Sequence, residues 1–325
     1  MIARRWLAAA LVALACATGS ARAAEPWPAR PVRIVVTYPP GGTSDLIARI
    51  SAQILTEKLG KPFVVENRAG AGGNIGTDAV AKSPPDGYTL LQGTFGPITT
   101  AVALYPKLPY APARDLVPIV VVADVPNLLL VHPSVPARTV AELVELAKAR
   151  PGKLNMAVSS LGGTPHLLTE MFQQKAGIRF TSIPYKGTAP ALTDVVAGQV
   201  EVDFDALPAV LPFVKADRLR PLAIAGRARV PQLPDVPTMA EAGFPDVEIS
   251  AWHGLLAPAG TPPEVIALVN RTLVSELRTP AMRARLRELG AEVVASTPEE
   301  MDLFLRAETA RWTELIGRVK ITVDQ

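Results

Sequence analysis

Two stretches of this chain follow one plan. Gly41-Gly42-Thr43-Ser44-Asp45-Leu46-Ile47 and Gly162-Gly163-Thr164-Pro165-His166-Leu167-Leu168 each follow a short apolar run, and each opens a segment with helical spacing of apolar residues. Further on, Thr77-Asp78-Ala79-Val80-Ala81 resembles Thr193-Asp194-Val195-Val196-Ala197, and the two correspondences lie at offsets of 121 and 116 residues. A pseudo-repeated α/β lobe gives such a pattern, as does chance matching of small residues. A length of 325 residues also favours two lobes, because one hydrophobic core rarely grows beyond about 250–300 residues.

The segments between these marks read as strand-loop-helix units. Val32 to Thr37 is a β-branched run broken by Pro39-Pro40-Gly41-Gly42, and Thr43 is placed to cap a helix carrying Leu46, Ile47, Ile50, Ile54 and Leu55. Gly60 can stop that helix, and Phe63-Val64-Val65 reads as the next strand. The loop Gly70-Ala71-Gly72-Gly73-Asn74 leads to a helix around Gly76 to Ala81, and Tyr88 to Leu91 is another strand. Val117 to Val131 is a long apolar stretch broken by Asp124 and Pro126; then Thr139 to Ala149 reads as a helix and Leu154 to Val158 as a strand. Alternating strands and helices predict an α/β fold with a mainly parallel sheet covered on both faces.

The first residues have the layout of a secretory signal peptide. A cationic Arg4-Arg5 precedes the apolar run Trp6 to Ala17, which is too short to span a bilayer, and Ala21-Arg22-Ala23 offers an A-x-A cleavage site. Cleavage after Ala23 removes Arg4, Arg5 and Arg22, taking 33 basic side chains to 30 against 30 acidic ones. The formal charge falls from +3 to zero, so nucleic acid loses its electrostatic footprint as a partner. Aromatic residues make up 5% of the chain, too few for base-stacking platforms. Cys16 is the only cysteine and lies inside this leader, so the mature fold is expected to have no disulfide. A lipid anchor at Cys16 is the alternative to free export.

The two Gly-Gly-Thr loops suit an anion. Consecutive glycines let several backbone N–H groups converge, and the first turn of a helix leaves its N–H groups unpaired at the positive end of its dipole. A tight strand-to-helix turn explains one such loop; two in matching places favour binding. Signs of catalysis are weaker. His132, His166 and His253 show no metal spacing, and no G-x-S-x-G elbow occurs. Ser159 or Ser160 with His166 reads either as a nucleophile and base or as ligand-binding and capping groups, the second being favoured. Gly70-x-Gly72-x-x-x-Gly76 has its third glycine one place late for a dinucleotide fingerprint, so no cofactor and no metal are expected. Lys186 either pairs with an anion or reaches solvent, and Asp205 either orients a ligand hydroxyl or ammonium or caps a local turn.

Longer blocks carry a family resemblance. Tyr38-Pro39-Pro40-Gly41-Gly42-Thr43-Ser44-Asp45-Leu46-Ile47-Ala48-Arg49 and Val65-Glu66-Asn67-Arg68-Ala69-Gly70-Ala71-Gly72-Gly73-Asn74-Ile75-Gly76 resemble the first signatures of the Bug-type tripartite tricarboxylate transporter substrate-binding proteins. Matches continue through Ala81 to Leu91, Leu104 to Tyr110, Pro184 to Leu192, Leu233 to Thr238 and Ala257 to Pro262, so the resemblance spans essentially the whole mature chain. It implies a periplasmic solute receptor, not an enzyme. Such a protein has the two-lobed α/β fold of a type II-like periplasmic binding protein and closes on a small carboxylate. It serves as a monomer delivering that ligand to a permease of one large and one small subunit.

By that resemblance the leader occupies 1–23, one lobe 24–123 with 245–325, and the other 124–244. The implied ligand-binding residues of the first lobe are Tyr38, Pro40, Gly41, Gly42, Thr43, Ser44 and Asp45, with Gly93, Thr94, Phe95 and Gly96 completing it. The facing lobe contributes Ser159, Ser160, Gly162, Gly163, Thr164 and His166, then Tyr185, Lys186, Gly187 and Thr188, and Asp205. This chain departs from the family pattern at His253, where an aromatic such as Phe is frequent, and at Ala206 after Asp205, where a polar residue is common. A sensor for a signalling partner and an exported serine hydrolase are the alternative functions.

Overall fold

The computed structural model describes residues 26–249, 251–319 and 321–323; the leader expected at 1–23 and Cys16 lie outside them. Strand β1 (Val32–Val36) has β-branched residues at four of its five positions, and its burial on both faces matches a central parallel strand. Helix α1 (Thr43–Leu59) follows it and ends at Gly60, whose φ of 71° is the left-handed stop a glycine adopts without strain. Its Ile47, Ile50, Ile54 and Leu55 face the core. Burying each contributes about 1.5–3 kcal/mol. Strand β2 (Phe63–Asn67), helix α2 (Asn74–Ala81) and strand β3 (Thr89–Thr94) complete the first unit. β1 pairs in parallel with both neighbours, Ile34 lying opposite Val65 and Leu90.

The apolar stretch that contains Asp124 and Pro126 is two strands. β4 (Leu116–Val125) belongs to one sheet and β5 (Asn127–Val131) to another, so the chain crosses between sheets at Pro126. Proline lacks the ladder N–H and cannot continue a central strand. The second unit is β6 (Asn155–Val158), helix α3 (Thr164–Ala176), β7 (Thr181–Pro184), helix α4 (Thr188–Val196) and β8 (Val202–Ala206). β9 (Arg220–Ala225) closes that sheet; β10 (Ala251–Pro258) and the short β11 (Glu292–Val293) return to the first.

The sheet orders show the repeat directly. One runs β11-β4-β10-β3-β1-β2 and the other β7-β6-β8-β5-β9. In each, three parallel strands are followed by one that runs antiparallel to the third: β10 on β3, and β5 on β8. Thus the two α/β lobes share one plan and the expected two-lobed α/β fold is the one observed, but each sheet mixes parallel and antiparallel pairs where a mainly parallel one was expected, because a strand arriving from the other lobe enters antiparallel. The helix at 140–149 also begins as its sequence predicts, with the Thr139 hydroxyl accepting from Glu142 N–H at 3.1 Å.

Each lobe has a buried apolar layer, around Ile34, Ile47, Leu90 and Leu255 in the first and Leu128, Leu130, Ala191 and Val210 in the second. A third buried cluster runs through both, linking Val35, Leu91 and Phe95 with Leu129, Phe172 and Phe204. The C-terminal helix α5 (Pro298–Val319) adds Met301, Trp312 and Ile316 to that cluster. Among the described residues no helix is long and apolar enough to cross a membrane.

Candidate functional site

The carboxyl ends of β1, β3, β6 and β8 and the amino ends of the antiparallel β5 and β10 meet at one place between the lobes. Ligands of open α/β sheets bind at such strand ends. A cavity of about 80 Å³ lies there. Tyr38, Gly42, Thr43 and Ser44 line it from the turn after β1, and Thr94, Phe95 and Gly96 from the end of β3. The second lobe supplies Ser159, Ser160, Gly163, Thr164, Thr188 and Asp205. The lobes are in contact around it: the Tyr38 hydroxyl pairs with Ser160 Oγ at 3.0 Å, and Thr100 Oγ1 donates to the Gly162 carbonyl.

Among the described residues, three helices with a glycine at the N-cap start at this cavity, and none of the three has a side-chain cap. Their N-cap residues are Gly42, Gly163 and Gly187. The first intrahelical bonds are Leu46 N–H to the Gly42 carbonyl and Leu167 N–H to the Gly163 carbonyl. The N–H groups of Thr43 and Ser44, and that of Thr164, precede those bonds, at the positive end of each helix dipole. Thr43 is therefore not the cap the sequence predicts but the first helical residue, and its hydroxyl has no partner. The repeat extends to backbone conformation. Gly41 and Gly162 hold the same loop position at φ of 88° and 73°, where a side chain is strained. Gly42 and Gly163, one place later, admit close neighbours: a Cβ at Gly163 would stand 2.4 Å from Ser160 Oγ.

Side-chain polar atoms without a protein partner concentrate on this wall. Thr43 Oγ1, Ser44 Oγ, Thr94 Oγ1, Asn127 Nδ2, Asp205 Oδ2, Trp252 Nε1 and His253 Nδ1 are all buried and unpaired within the described protein. Each such atom costs about 1–3 kcal/mol. Seven on one cavity wall mark it as a candidate binding surface.

Among the described residues the wall carries no lysine and no arginine. His253 is no cation either, since burial pushes its pKa down to about 4. Burial raises the Tyr38 phenol, which keeps it a neutral donor. Asp205 is the one carboxyl group on the wall among the described residues. Burial pushes it up to about 6, against hydrogen bonds from Ala206 N–H and Thr188 that hold it down. Asp203, two residues back on β8, is fully buried with neither oxygen partnered; burial first, and Asp205 second, push it well above the carboxylate range. Among the described residues no group of three or more His, Cys, Asp or Glu is arranged to hold a metal.

Several residues expected in the site stand behind its wall. Asp45 accepts from Gly41 N–H at 3.1 Å, Arg49 Nε at 2.9 Å and Asn67 Nδ2 at 2.9 Å, and so braces the first loop. Burial raises its carboxyl, but these bonds together hold it below its ordinary value. His166 has the matching task in the second loop, its Nδ1 accepting from Gly162 N–H at 3.2 Å, and its ring lines a separate outer hollow with Glu170 and Phe180. Ser159 and Ser160 face the cavity while His166 lies outside it, which is not the geometry of a nucleophile and its base. Tyr185 donates to Asp194 at 2.7 Å, and Lys186 and Pro40 are exposed. Gly93 packs within the sheet, where a Cβ would meet Leu256 Cδ1 at 2.2 Å. Gly41, Gly162 and Gly187 shape the loops without lining the cavity.

Other wall residues were not legible as such. Asn127 opens β5, and Trp252 and His253 open β10, each at the strand's cavity end. The signals available were a polar residue beside an apolar run, at Asn127 after Pro126, and the departure of His253 from the family pattern. Helix α5 supports this side from behind, Phe304 packing edge-on against Trp252 at 6.1 Å and Trp312 against Phe95 at 5.1 Å.

Comparison with known proteins gives consistent matches. Residues 47–321 match the family described as "Tripartite tricarboxylate transporter family receptor". Protein BugT of Bordetella pertussis is 42% identical over 294 residues, covering 90% of each chain. The structure of R. palustris Rpa4515 with adipate superposes with a TM-score of 0.89 at 42% identity, covering 91% of this chain and 99% of that one. MatC (Rpa3494) from Rhodopseudomonas palustris, with bound malate, gives 0.85 at 33% identity over 89% and 100%.

Proposed function

The chain belongs to the tripartite tricarboxylate transporter receptor family, and from that premise we propose that it captures a small carboxylate between its lobes in the periplasm and delivers it to a membrane permease. The observation that carries this reading is a cavity walled by uncapped helix starts and unpaired hydroxyl and N–H donors with no cationic side chain. Such a wall offers a carboxylate several neutral hydrogen bonds at once. The adipate and malate bound by two structural relatives support the ligand class.

The residues proposed to hold the ligand are those on the wall, chiefly Thr43, Ser44, Thr94, Ser159, Ser160, Thr164, Thr188 and Asp205. The receptor acts without turnover and as a monomer, with lobes bounded near residues 124 and 245. Protein freed of carried-over ligand by unfolding and refolding, then titrated calorimetrically with C3–C6 mono- and dicarboxylates, tests the reading. Micromolar or tighter binding of at least one is expected; no heat from any of them would overturn it.

A further inference from the structure

The wall is not uniformly suited to an anion. Thr43, Ser44 and Thr94 from the first lobe, with Asn127 and Trp252, offer hydroxyl and N–H groups that lack an acceptor. The second lobe presents a carboxyl group among them. Asp205 is 1% exposed and lines the cavity. Its Oδ1 already accepts from Ala206 N–H at 2.7 Å and Thr188 Oγ1 at 2.9 Å, which fixes the group in place. Its Oδ2 has no donor within the described protein. A ligand carboxylate set against it would face a like charge at low dielectric, with no lysine or arginine on the wall to offset the repulsion. A ligand hydroxyl or ammonium there would instead supply the donor that Oδ2 lacks.

We propose that Asp205 sets the specificity of this cavity, selecting carboxylates that carry a hydrogen-bond donor, a hydroxyl or ammonium, on a neighbouring carbon over the plain acids of the same length. The donor sits on Asp205, and the carboxylate takes the helix start at Thr43 and Ser44. This rests on the carboxylate-receptor reading and deepens it. Asp205 acts by contact with the ligand; Thr188 and Ala206 N–H are positioning groups.

The test uses ligand-free protein and matched probes in calorimetry at pH 7.5: succinate, malate and aspartate, then glutarate, 2-hydroxyglutarate and glutamate. In at least one set, a donor-bearing acid is expected to bind about 10- to 100-fold tighter than its plain counterpart, the range for one hydrogen bond to a charged group. Asp205→Asn is expected to shrink that ratio to about threefold or less. A merely structural role would lower both affinities together and leave the ratio alone. Plain acids binding as tightly as donor-bearing ones to the native protein would overturn the proposal without the variant. A ratio unchanged in a folded Asp205→Asn protein would overturn it too. Silence from all six probes would overturn this proposal, and the carboxylate reading falls with it only when the wider C3–C6 series is silent too; tight succinate or glutarate binding without preference would sink this proposal alone.

Discussion

Two buried titratable groups on the wall pull in opposite directions with pH. Asp205 titrates near 6 in the fold and near 3.9 when unfolded. Between those values the folded state holds the extra proton, so this group makes stability fall as pH rises. His253 titrates near 4 in the fold and near 6.5 when unfolded. There the unfolded chain holds the extra proton, so stability rises with pH across the same window. Urea unfolding of the ligand-free protein at pH 4 and pH 7 separates the two contributions. Asp205→Asn is expected to gain stability over the native protein at pH 7 and little at pH 4; His253→Phe is expected to gain at pH 4 relative to pH 7. Parallel behaviour of the two variants would contradict the assignment. Residue type alone did not reveal this, because Asp205 and His253 owe their shifts to burial, which is a property of the packed lobes.

At the scale of elements, the strand-to-helix turn is the repeated unit of the cavity wall, and the chain builds it twice. The sequence shows the Gly-Gly-Thr pairs, the flanking apolar runs and the helical spacing, because local backbone preferences make those patterns. It did not show that Asp45 and His166 turn back to brace their own loops. Both follow the glycines at corresponding places, and only the folded loop decides whether a polar side chain meets ligand or backbone. Gly162→Ala is expected to cost about 1–3 kcal/mol, since the left-handed conformation must be kept and Leu104 Cδ1 lies 3.1 Å from the new Cβ. Gly60→Ala, also left-handed but with nothing within 4 Å, is expected to cost only the backbone share. Thermal unfolding of the two side by side checks this. Asn67→Ala removes a donor to both the Tyr38 carbonyl and Asp45, and is expected to weaken ligand binding several-fold although Asn67 is not on the wall.

For the whole molecule, the binding surface exists only when both lobes contribute to it. The Tyr38–Ser160 hydrogen bond joins them at the cavity. Tyr38→Phe is expected to weaken the closed form by about 1 kcal/mol and ligand affinity by roughly fivefold. Small-angle scattering should show the ligand-free protein contracting when ligand is added, and identical curves would contradict closure. With no cation on the wall, affinity is expected to change less than about threefold between 50 and 500 mM salt, a weaker response than an arginine-lined site at the surface gives. The sequence by itself determined the alternation of strands and helices, the doubled lobe and the places of the two Gly-Gly-Thr turns, since these follow from spacing and backbone freedom within a few tens of residues. Only the tertiary structure decided which polar groups share a wall. Asn127, Asp205 and His253 come from distant stretches and meet because each lobe's antiparallel strand is delivered by a chain crossing from the other. That meeting is a matter of long-range strand order, which no local pattern encodes.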